Sequence, residues 1–246
     1  MSLVVTGGSR GIGRAIVLAA VRARRDVVFG YRTNREEADR TVALAREIDP
    51  ERRCEAVQLD QRDPAACEAF ADAARDRLER VEAVVCNAGI NRDGLAFSMS
   101  DEAWRDVLDT NLSGTFFVAR AFLPDLLATG AGRLVMVGSI AAGGLSGQAN
   151  YAASKAGLVG LSATLAKEYA RKGLTSNVVV PGFFDTDLTR ASMSDQTQQF
   201  WRRFCPAGRM GELDEVAAAV LFLCAPEASF VNGAVLPVTG GLDWSP

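Results

Sequence analysis

Short apolar runs rich in valine recur along the chain and alternate with longer helical patterns. Runs this short and continuously apolar are typical of strands covered on both faces, as in a parallel sheet between layers of helices. Seven strands are predicted, at residues 3–5, 27–29, 56–59, 83–86, 134–137, 178–180 and 234–238. Helices are predicted at residues 11–23, 36–47, 64–78, 101–127, 151–171 and 212–223. The alternation predicts an α/β fold with one doubly wound parallel sheet and helices on both faces.

Residues with capping character mark several predicted helix ends. Asp101 is predicted as an N-cap, Pro64 lies in a first turn after Asp63, and Gly173 is placed to end a helix. No linker rich in proline or serine divides the 246 residues. Residues 1–246 are therefore predicted to form a single domain, of a length that can bury one α/β core.

The composition excludes several classes of protein. With 27 basic and 30 acidic residues and a net charge of −3, the chain offers no broad basic field for nucleic acid. The first predicted strand begins at Leu3, which leaves no room for a cleavable signal peptide, and no apolar stretch reaches about 18 residues. We therefore expect a cytoplasmic protein with neither a nucleic-acid nor a membrane partner.

The cysteine and histidine content bears on metal and nucleophile chemistry. The five cysteines show no Cys-x-x-Cys spacing, which predicts reduced and mostly buried thiols. Histidine is absent, so Ser-His-Asp and Cys-His catalysis and most transition-metal sites are excluded. No metal site is predicted.

Tyr151 and Lys155 stand one helical turn apart, and Ser139 precedes the tyrosine at the end of an apolar run. A helix places residues i and i+4 on one face, where a fixed ammonium would stabilise the phenolate and lower the tyrosine pKa. A phenol that ordinarily titrates at about pH 10 then donates its proton more readily at neutral pH. A Tyr-x-x-x-Lys pair by itself is also common at solvated helix edges, so other features of the sequence must decide whether this pair is catalytic.

A glycine-rich loop follows the first predicted strand and opens the first predicted helix. Residues 6–13 are Thr-Gly-Gly-Ser-Arg-Gly-Ile-Gly. Glycines allow positive φ and let the backbone approach a pyrophosphate, which the N–H groups and dipole of a helix N-terminus attract. A loop of this kind in this position predicts a Rossmann-like dinucleotide site.

The end of the second strand bears on the choice of dinucleotide. NAD-binding sheets usually place an acid there to bind the ribose hydroxyls, but residues 30–33 are Gly-Tyr-Arg-Thr. Arg32, with Arg10 of the glycine loop, instead offers guanidinium donors for a 2′-phosphate, which an aspartate would repel. NADPH or NADP⁺ is therefore the predicted cofactor. The alternative is that both arginines are merely solvated.

Further motifs at fixed separations join these features along almost the whole chain: Asn-Ala-Gly at 87–89, Asn111, and Pro-Gly at 181–182. In this order and spacing the set resembles the short-chain dehydrogenase/reductase family. The branch that it resembles most is that of the 3-oxoacyl-[acyl-carrier-protein] reductases, through residues 87–93, 147–151, 181–187 and 206–211. The resemblance implies an NADPH-dependent ketoreductase of fatty-acid or polyketide biosynthesis.

The resemblance also implies a role for each site residue. Tyr151 would be the general acid, Lys155 would lower its pKa and bind the nicotinamide ribose, and Ser139 would orient the ketone. Asn111 would hold a water that connects Lys155 to solvent, and Asp60 would contact adenine. The cofactor-binding residues carried over in this way, besides Tyr151 and Lys155, are Gly7, Ser9, Arg10, Gly11, Ile12, Gly13, Arg32, Asp60, Gln61, Asn87, Ala88, Gly89, Pro181, Gly182, Phe183, Phe184 and Thr186.

Each of these roles has a structural alternative when the residue is taken alone. Asn111 could satisfy backbone groups at a helix irregularity, Asp60 could cap the next helix, and Ser139 could be a turn hydroxyl. Their joint order and spacing favour the catalytic set over these alternatives.

Two departures from the reductases affect the substrate. Those reductases have one more residue between the serine and the tyrosine, so the loop at 140–150 is shortened by one, near residues 143–145. They also dock the acidic acyl carrier protein on basic residues, and here Lys172 falls at one such place but Gly130 at the other. Docking is therefore either absent or shifted to other basic residues, namely Arg171, Arg202, Arg203 or Arg209.

Two helical faces have alternative interpretations. One aromatic face would be formed by Phe200, Trp201 and Phe204. In the family, the segment that contains them covers the substrate as a mobile lid. These aromatic residues either anchor the lid to the core or line a pocket for a larger acyl chain. The helix from Tyr151 could pack densely on its own sheet or form a two-fold interface, and we expect the interface, in a homotetramer or homodimer. Its small residues are Ala152, Ala153, Ala156, Gly157, Gly160 and Ala163.

Three hypotheses for the function follow. The leading one is NADPH-dependent reduction of a 3-oxoacyl thioester to the 3-hydroxyacyl product. The second keeps the chemistry with a free small ketone, sugar or secondary alcohol. The third, a non-catalytic nucleotide-binding regulatory subunit, would have no need of the proton relay that the catalytic set implies.

Overall fold

The protein is built around one sheet of parallel strands. The structure, a computed structural model, describes residues 2–184, 186 and 195–242, with only the backbone of 195–198 and 202. The described residues form seven parallel strands in the order β3-β2-β1-β4-β5-β6-β7, which confirms the predicted number and fold class. The strands are β1 (Ser2–Thr6), β2 (Asp26–Tyr31), β3 (Cys54–Gln58), β4 (Ala83–Cys86), β5 (Arg133–Val137), β6 (Thr175–Pro181) and β7 (Val235–Val238).

Helices follow the strands and cover both faces of the sheet. In the described residues they are α1 (Gly11–Arg22), α2 (Arg35–Ile48), α3 (Pro64–Arg77), α4 (Asp101–Leu108), α5 (Gly114–Ala128), α6 (Ala149–Tyr169), α7 (Asp195–Phe204) and α8 (Leu213–Leu223). Helix α7 was not among the predicted helices, although the spacing of its aromatic residues is helical. No helix in the described part of the chain is long and apolar enough to cross a membrane.

Two apolar layers hold the helices to the sheet. On one face α1 and α8 pack through residues such as Ile16 and Val220, and on the other α3, α5 and α6 pack through Phe70, Phe122 and Leu158. The Phe70 and Phe122 rings meet edge to face with centroids 5.7 Å apart. The central strands β1 and β4 are buried along their whole length between these layers, which explains their short continuous runs of valine.

The prediction of one helix over residues 101–127 is wrong. Helix α4 ends at Leu108, a π-helical turn occupies Asp109–Ser113, and α5 then begins at Gly114. The wider turn is stabilised by contacts outside the helix, because buried Asn111 bonds to a neighbouring loop while the Thr115 hydroxyl donates to the Asn111 carbonyl at 2.8 Å. Apolar periodicity does not report such contacts, so the sequence pattern could not locate the break.

The predicted helix caps are mostly confirmed. Asp63 accepts a hydrogen bond from the Ala65 N–H and precedes Pro64, and Gly173 has a φ of +81°. The N-cap of α4, however, is Ser100, whose hydroxyl accepts from the Ala103 N–H. The prediction of Asp101 is thus wrong by one residue. The five cysteines form no disulfide, and four of them are buried.

The strand order creates a crevice at the carboxyl end of the sheet. Strand β1 leads into α1 on one face, whereas its neighbour β4 leads towards α4 and α5 on the other. Connections that leave adjacent strands in opposite directions open a cleft between them, where ligands bind in sheets of this type. The loops after β1, β4, β5 and β6 all end at this cleft.

A matched pair of glycine substitutions tests the packing at the first of these loops. A Cβ on Gly13 would lie 2.0 Å from the Gly7 carbonyl oxygen, whereas one on Gly143 would meet nothing within 4 Å. We expect Gly13→Ala to lower the free energy of unfolding by about 3 kcal/mol, the upper end of ordinary overpacking. Gly143→Ala should change it by less than about 1 kcal/mol. Urea denaturation measures both, and equal effects would contradict the described packing.

Candidate active site

A single pocket of about 480 Å³ gathers almost all of the predicted site residues. It lies at the carboxyl ends of the strands and is lined by the glycine loop, the ends of β2, β3 and β4, the loop after β5, the start of α6 and the segment after β6. Every residue predicted to bind the cofactor contributes to its wall, as do Ser139, Tyr151 and Lys155. Asn111 alone among the predicted residues lies behind the wall.

The glycine loop presents the N-terminus of α1 to this pocket. Gly7 and Gly11 have positive φ, +68° and +53°, and a Cβ on Gly7 would lie 2.9 Å from the Ala88 Cα. The Asn87 amide donates to the Thr6 and Gly7 carbonyls at 3.0 and 3.2 Å. No side chain caps α1 and no acid lies in its first turn. Its N–H groups therefore fit the phosphates of a dinucleotide.

Two basic side chains, Arg10 and Arg32, lie at the end of the pocket that is predicted to hold adenosine. Arg10 and Arg32 are exposed on its wall, and neither forms an ion pair with any described residue. Asp60 also lines the wall, but its carboxylate pairs with Arg62, 2.5 Å between Oδ2 and Nη2, and this pair lowers the Asp60 pKa. Asp60 does not cap the next helix, because Asp63 does. Its predicted contact with adenine stays a prediction.

Gln61 and Thr110 form part of the pocket floor. The Gln61 amide donates to the Thr110 carbonyl at 2.6 Å, which ties the end of β3 to the π-helical turn. The Gln61 Oε1 and Thr110 Oγ1 atoms are both buried without a hydrogen-bond partner. Buried polar atoms are seldom left unpaired in this way, and both atoms lie beneath the surface of the pocket.

The candidate catalytic side chains converge from β5 and α6. Tyr151 and Lys155 lie one turn apart on α6, with the Lys155 Nζ 5.6 Å from the centre of the Tyr151 ring. The ammonium is buried and donates to the Val137 carbonyl at 2.7 Å. Ser139 lies two residues after the end of β5, close enough to Tyr151 to lower the pKa of its phenol. The pair is thus not a solvated helix edge.

Burial has opposite effects on the two titratable groups. It raises the pKa of Tyr151, and the hydrogen bond with Ser139 offsets part of this effect. It also lowers the pKa of Lys155 from 10.5 to about 8. Lys155 is not among the groups that lower the tyrosine pKa here, so the prediction that it does so is not confirmed. For each group, the free-energy cost of removing the charged form from water exceeds the stabilisation that neighbouring groups give to that form.

Asn111 supports the site from the π-helical turn. Its amide donates to the Ile90 carbonyl at 2.9 Å and to the Ser154 hydroxyl at 3.1 Å, and its Oδ1 accepts from the Ile90 N–H at 2.8 Å. A Cβ on Gly89 would lie 3.2 Å from the Asn111 Oδ1 and 3.5 Å from the Lys155 Nζ, so a larger residue here would press on the Asn111 amide. The water that Asn111 is predicted to hold stays a prediction.

Sequence analysis missed three residues that position the tyrosine. Asn150 is fully buried and donates to the Arg92 and Ala103 carbonyls at 3.0 Å, which ties the start of α6 to the loop after β4. Gln148 donates to Asp93 at 3.1 Å in the same contact, and the charge of Asp93 raises the Tyr151 pKa. A polar residue directly before Tyr151 was the one available sequence clue.

The aromatic residues of α7 reach the pocket through Phe183. Trp201 is 5% exposed and stacks on Phe183 with ring centroids 4.0 Å apart. Phe200 contacts both Trp201 and Phe204, which confirms the predicted aromatic cluster. Trp201 thus anchors the helix, while Phe200 and Phe204 are partly exposed. Asp185, Asp187 and the Arg202 side chain lie outside the described residues.

Comparisons with known proteins agree with this geometry. A family model described as enoyl-(acyl carrier protein) reductase matches residues 7–243. The 3-oxoacyl-[acyl-carrier-protein] reductase FabG of Salmonella typhimurium is 41% identical over 240 residues, 97% of this chain and 96% of FabG. The reductase MabA of Mycobacterium bovis is 36% identical, over 98% of this chain and 92% of MabA. The crystal structure of levodione reductase matches with a TM-score of 0.94 at 29% identity, covering 98% of this chain and 96% of that one.

Replacing Lys155 by methionine is expected to stabilise the protein at pH 7. The folded-state pKa of about 8 lies below the ordinary 10.5, so the unfolded chain holds the proton more tightly and the charge opposes folding. This penalty is full below about pH 8 and disappears as the pH rises towards about 10.5. The gain should be on the order of 2–3 kcal/mol at pH 7 and below about 1 kcal/mol at pH 10. Urea denaturation at both pH values measures it, and a pH-independent difference would contradict the buried charge.

Proposed function

The chain belongs to the short-chain dehydrogenase/reductase family, and from that premise we propose that it reduces a 3-oxoacyl thioester to the 3-hydroxyacyl product with NADPH. Family membership makes it an oxidoreductase that acts on a carbonyl or alcohol group with a nicotinamide cofactor. The observation that carries the proposal is the convergence of Ser139, Tyr151 and Lys155 on the wall that the glycine loop also lines.

The chain's own residues would orient the ketone and supply a proton. When bound, the nicotinamide cofactor supplies the hydride. The Ser139 hydroxyl would donate to the substrate carbonyl oxygen, and the Tyr151 hydroxyl, on the same pocket wall, would protonate that oxygen. Lys155, one turn away on the same pocket wall, would bind the nicotinamide ribose, and Asn111 holds the loop at Ile90.

The preference for NADPH rests on the two arginines at the adenosine end. Arg10 and Arg32 line the same wall, are exposed, and pair with no described acid. No acid stands at the end of β2 to bind the ribose hydroxyls of NADH. Guanidinium groups that are free and converge on one place suit a dianionic phosphate.

The substrate class rests on the relatives and on the loop beside the catalytic tyrosine. FabG and MabA, the similar curated proteins, are named as 3-oxoacyl-[acyl-carrier-protein] reductases. In the loop after Ser139, added Cβ atoms at Gly143, Gly144 and Gly147 would meet no described atom within 4 Å, so this loop has space around it beside the pocket wall. An open side suits an acyl chain that enters from a carrier.

Docking of an acyl carrier protein would use the exposed Lys172. Gly130 lies beside it, because a Cβ on Gly173 would approach the Gly130 carbonyl. The two expected docking positions therefore meet on this surface, with one of the two charges missing. Arg171 and Arg203 are exposed as well, whereas Arg209 is held by Glu215 at 2.6 Å. We favour a weak docking surface at Lys172 and Arg171.

A homotetramer or homodimer built through α6 is part of the proposal. Ala153, Ala156, Gly160 and Thr164 are exposed at intervals that place them on one helix face. A Cβ on Gly160 would meet no atom of the described residues within 4 Å, so there is space above this point of the face. Small side chains allow the close approach of a second helix, and two-fold symmetry would place the same face opposite itself.

A second candidate substrate is a free small ketone. Levodione reductase, whose name gives levodione and not a carrier-bound acyl group, has almost the same fold. The shortened loop and the missing charge at Gly130 favour this candidate, while the greater identity to FabG favours the thioester.

The proposed reaction is tested by NADPH oxidation with one 3-oxoacyl group on a carrier protein, on coenzyme A and as a free ketone. We expect kcat/KM to be highest for the carrier-bound form and the Tyr151→Phe variant to lose about 10²–10⁴ in kcat, the usual contribution of a general acid. Tyr169→Phe, on the same helix but outside the pocket, is the matched control and should keep full activity. Turnover by Tyr151→Phe at the control's rate would refute the mechanism, and preference for the free ketone would select the second candidate.

The cofactor preference is tested with Arg32→Ala. We expect kcat/KM to fall about tenfold or more for NADPH and less than about twofold for NADH, because one charge-assisted contact is lost from the phosphate alone. Arg35→Ala is the control, since Arg35 is exposed next to Asp39 on α2 and does not line the pocket. A parent protein that uses NADH as well as NADPH, or a ratio unchanged by Arg32→Ala, would contradict the phosphate contact.

A further inference from the structure

Arg14 lies behind the glycine loop, on α1, and does not line the pocket. Its side chain is 18% exposed, and its Nε and Nη2 atoms both donate hydrogen bonds inside the protein. The Nε donates to the Thr41 hydroxyl at 2.8 Å, and the Nη2 donates to the Ser9 carbonyl and to the Glu37 Oε2, the latter at 2.5 Å. The Thr41 hydroxyl lies 3.1 Å from both the Ser9 and the Glu37 carbonyl oxygens. The glycine loop and α2 are thus joined through one guanidinium.

The acid in this cluster is close to the arginines of the pocket. Glu37 lies in the first turn of α2, which follows the segment that carries Arg32. Its pKa is lowered first by the hydrogen bond with Arg14 and then by the charges of Arg40 and Arg10. Because the Arg14 Nη2 donates to both the Ser9 carbonyl and the Glu37 Oε2, the carboxylate lies next to the backbone that leads into Arg10. Arg10 itself is exposed on the pocket wall and forms no ion pair with a described acid.

Without Arg14, the carboxylate would compete for the same arginine as the cofactor. A free Glu37 would attract Arg10 and would repel a phosphate dianion placed beside Arg10 and Arg32. The bond from Arg14 to the Ser9 carbonyl also fixes the backbone directly before Arg10, which is extended with φ −158° and ψ 172°. One side chain thus controls both the local charge and the direction of Arg10.

We propose that Arg14 is a positioning residue that sets the cofactor preference from behind the glycine loop: by pairing with Glu37 it leaves Arg10 free for the 2′-phosphate. The inference rests on the proposed use of NADPH and concerns the phosphate alone. Arg14 touches neither the nicotinamide nor the substrate, so its effect falls on NADP⁺ binding rather than on the chemical step.

The test is equilibrium binding of NADP⁺ and NAD⁺ to the full-length protein by calorimetry, which requires no knowledge of the substrate. Arg14→Gln is expected to weaken NADP⁺ binding by about tenfold, the scale of one charge-assisted contact, and NAD⁺ binding by less than about threefold. A merely structural role would weaken both dinucleotides by the same factor.

Removal of the acid provides a rescue that a structural role would not show. In Arg14→Gln/Glu37→Gln the carboxylate no longer competes, so NADP⁺ affinity should return to within about threefold of that of the parent protein. Glu37→Gln alone should keep NADP⁺ binding within about twofold, since the charge to be neutralised is gone. This single variant tests the proposal even if Arg14→Gln fails to fold.

Arg40→Gln is the matched control. Arg40 also faces Glu37, 3.9 Å from its Oε1, but its side chain is 67% exposed. Exposed ion pairs contribute little, so the ratio of the two affinities should change by less than about twofold.

The outcomes separate this proposal from the proposed function. If the parent protein binds NAD⁺ as tightly as NADP⁺, the cofactor preference itself is wrong, and Arg14 has nothing to set. If the parent prefers NADP⁺ and Arg14→Gln keeps that preference, only the role of Arg14 is overturned. The same holds if Glu37→Gln alone weakens NADP⁺ binding, or if the double variant does not restore it.

Discussion

The close approach of the loop after β1 to the loop after β4 is the constraint on which the rest of the site depends. Gly7 lies so close to Ala88 that a side chain at position 7 would not fit, and the Asn87 amide donates to the Thr6 and Gly7 carbonyls. Because the two strands are neighbours whose connections leave on opposite faces, only short, unsubstituted backbone can close the gap between them. This contact aims the N-terminus of α1 into the pocket and sets the position of Arg10, which follows.

The candidate catalytic groups depend on a second constraint, which is the burial of Lys155. An ammonium that donates to the Val137 carbonyl beside the end of β5 is held in place by the sheet, and the same burial makes its charge unfavourable. The buried charge lowers the stability of the folded protein, but it holds the ammonium in a fixed place in the site. The loops that enclose it are joined by polar side chains rather than by apolar packing: Asn111 holds Ile90, and Asn150 holds the loop that carries Arg92.

Local patterns predicted the fold because each signal needed only neighbours in the chain. The valine runs, the Asp63-Pro64 helix start and the positive φ at Gly173 depend on a few adjacent residues, and the structure confirms them. The order of motifs likewise located the pocket wall. The π-helical turn at 109–113 was not predictable in this way, because it is stabilised by the hydrogen bonds of Asn111 to Ile90 and Ser154, which are distant in sequence.

The sequence alone determined the sheet, the glycine loop and the set of residues that meets at the pocket, since apolar periodicity, glycine conformation and residue order are properties of the chain itself. Only the tertiary structure decided how these residues act on one another. It gave the direction of the Tyr151 and Lys155 pKa shifts, which depends on burial, and it paired Asp60 with Arg62 and Arg14 with Glu37. Charges interact through space, and the distances between side chains on different elements are fixed only when those elements pack.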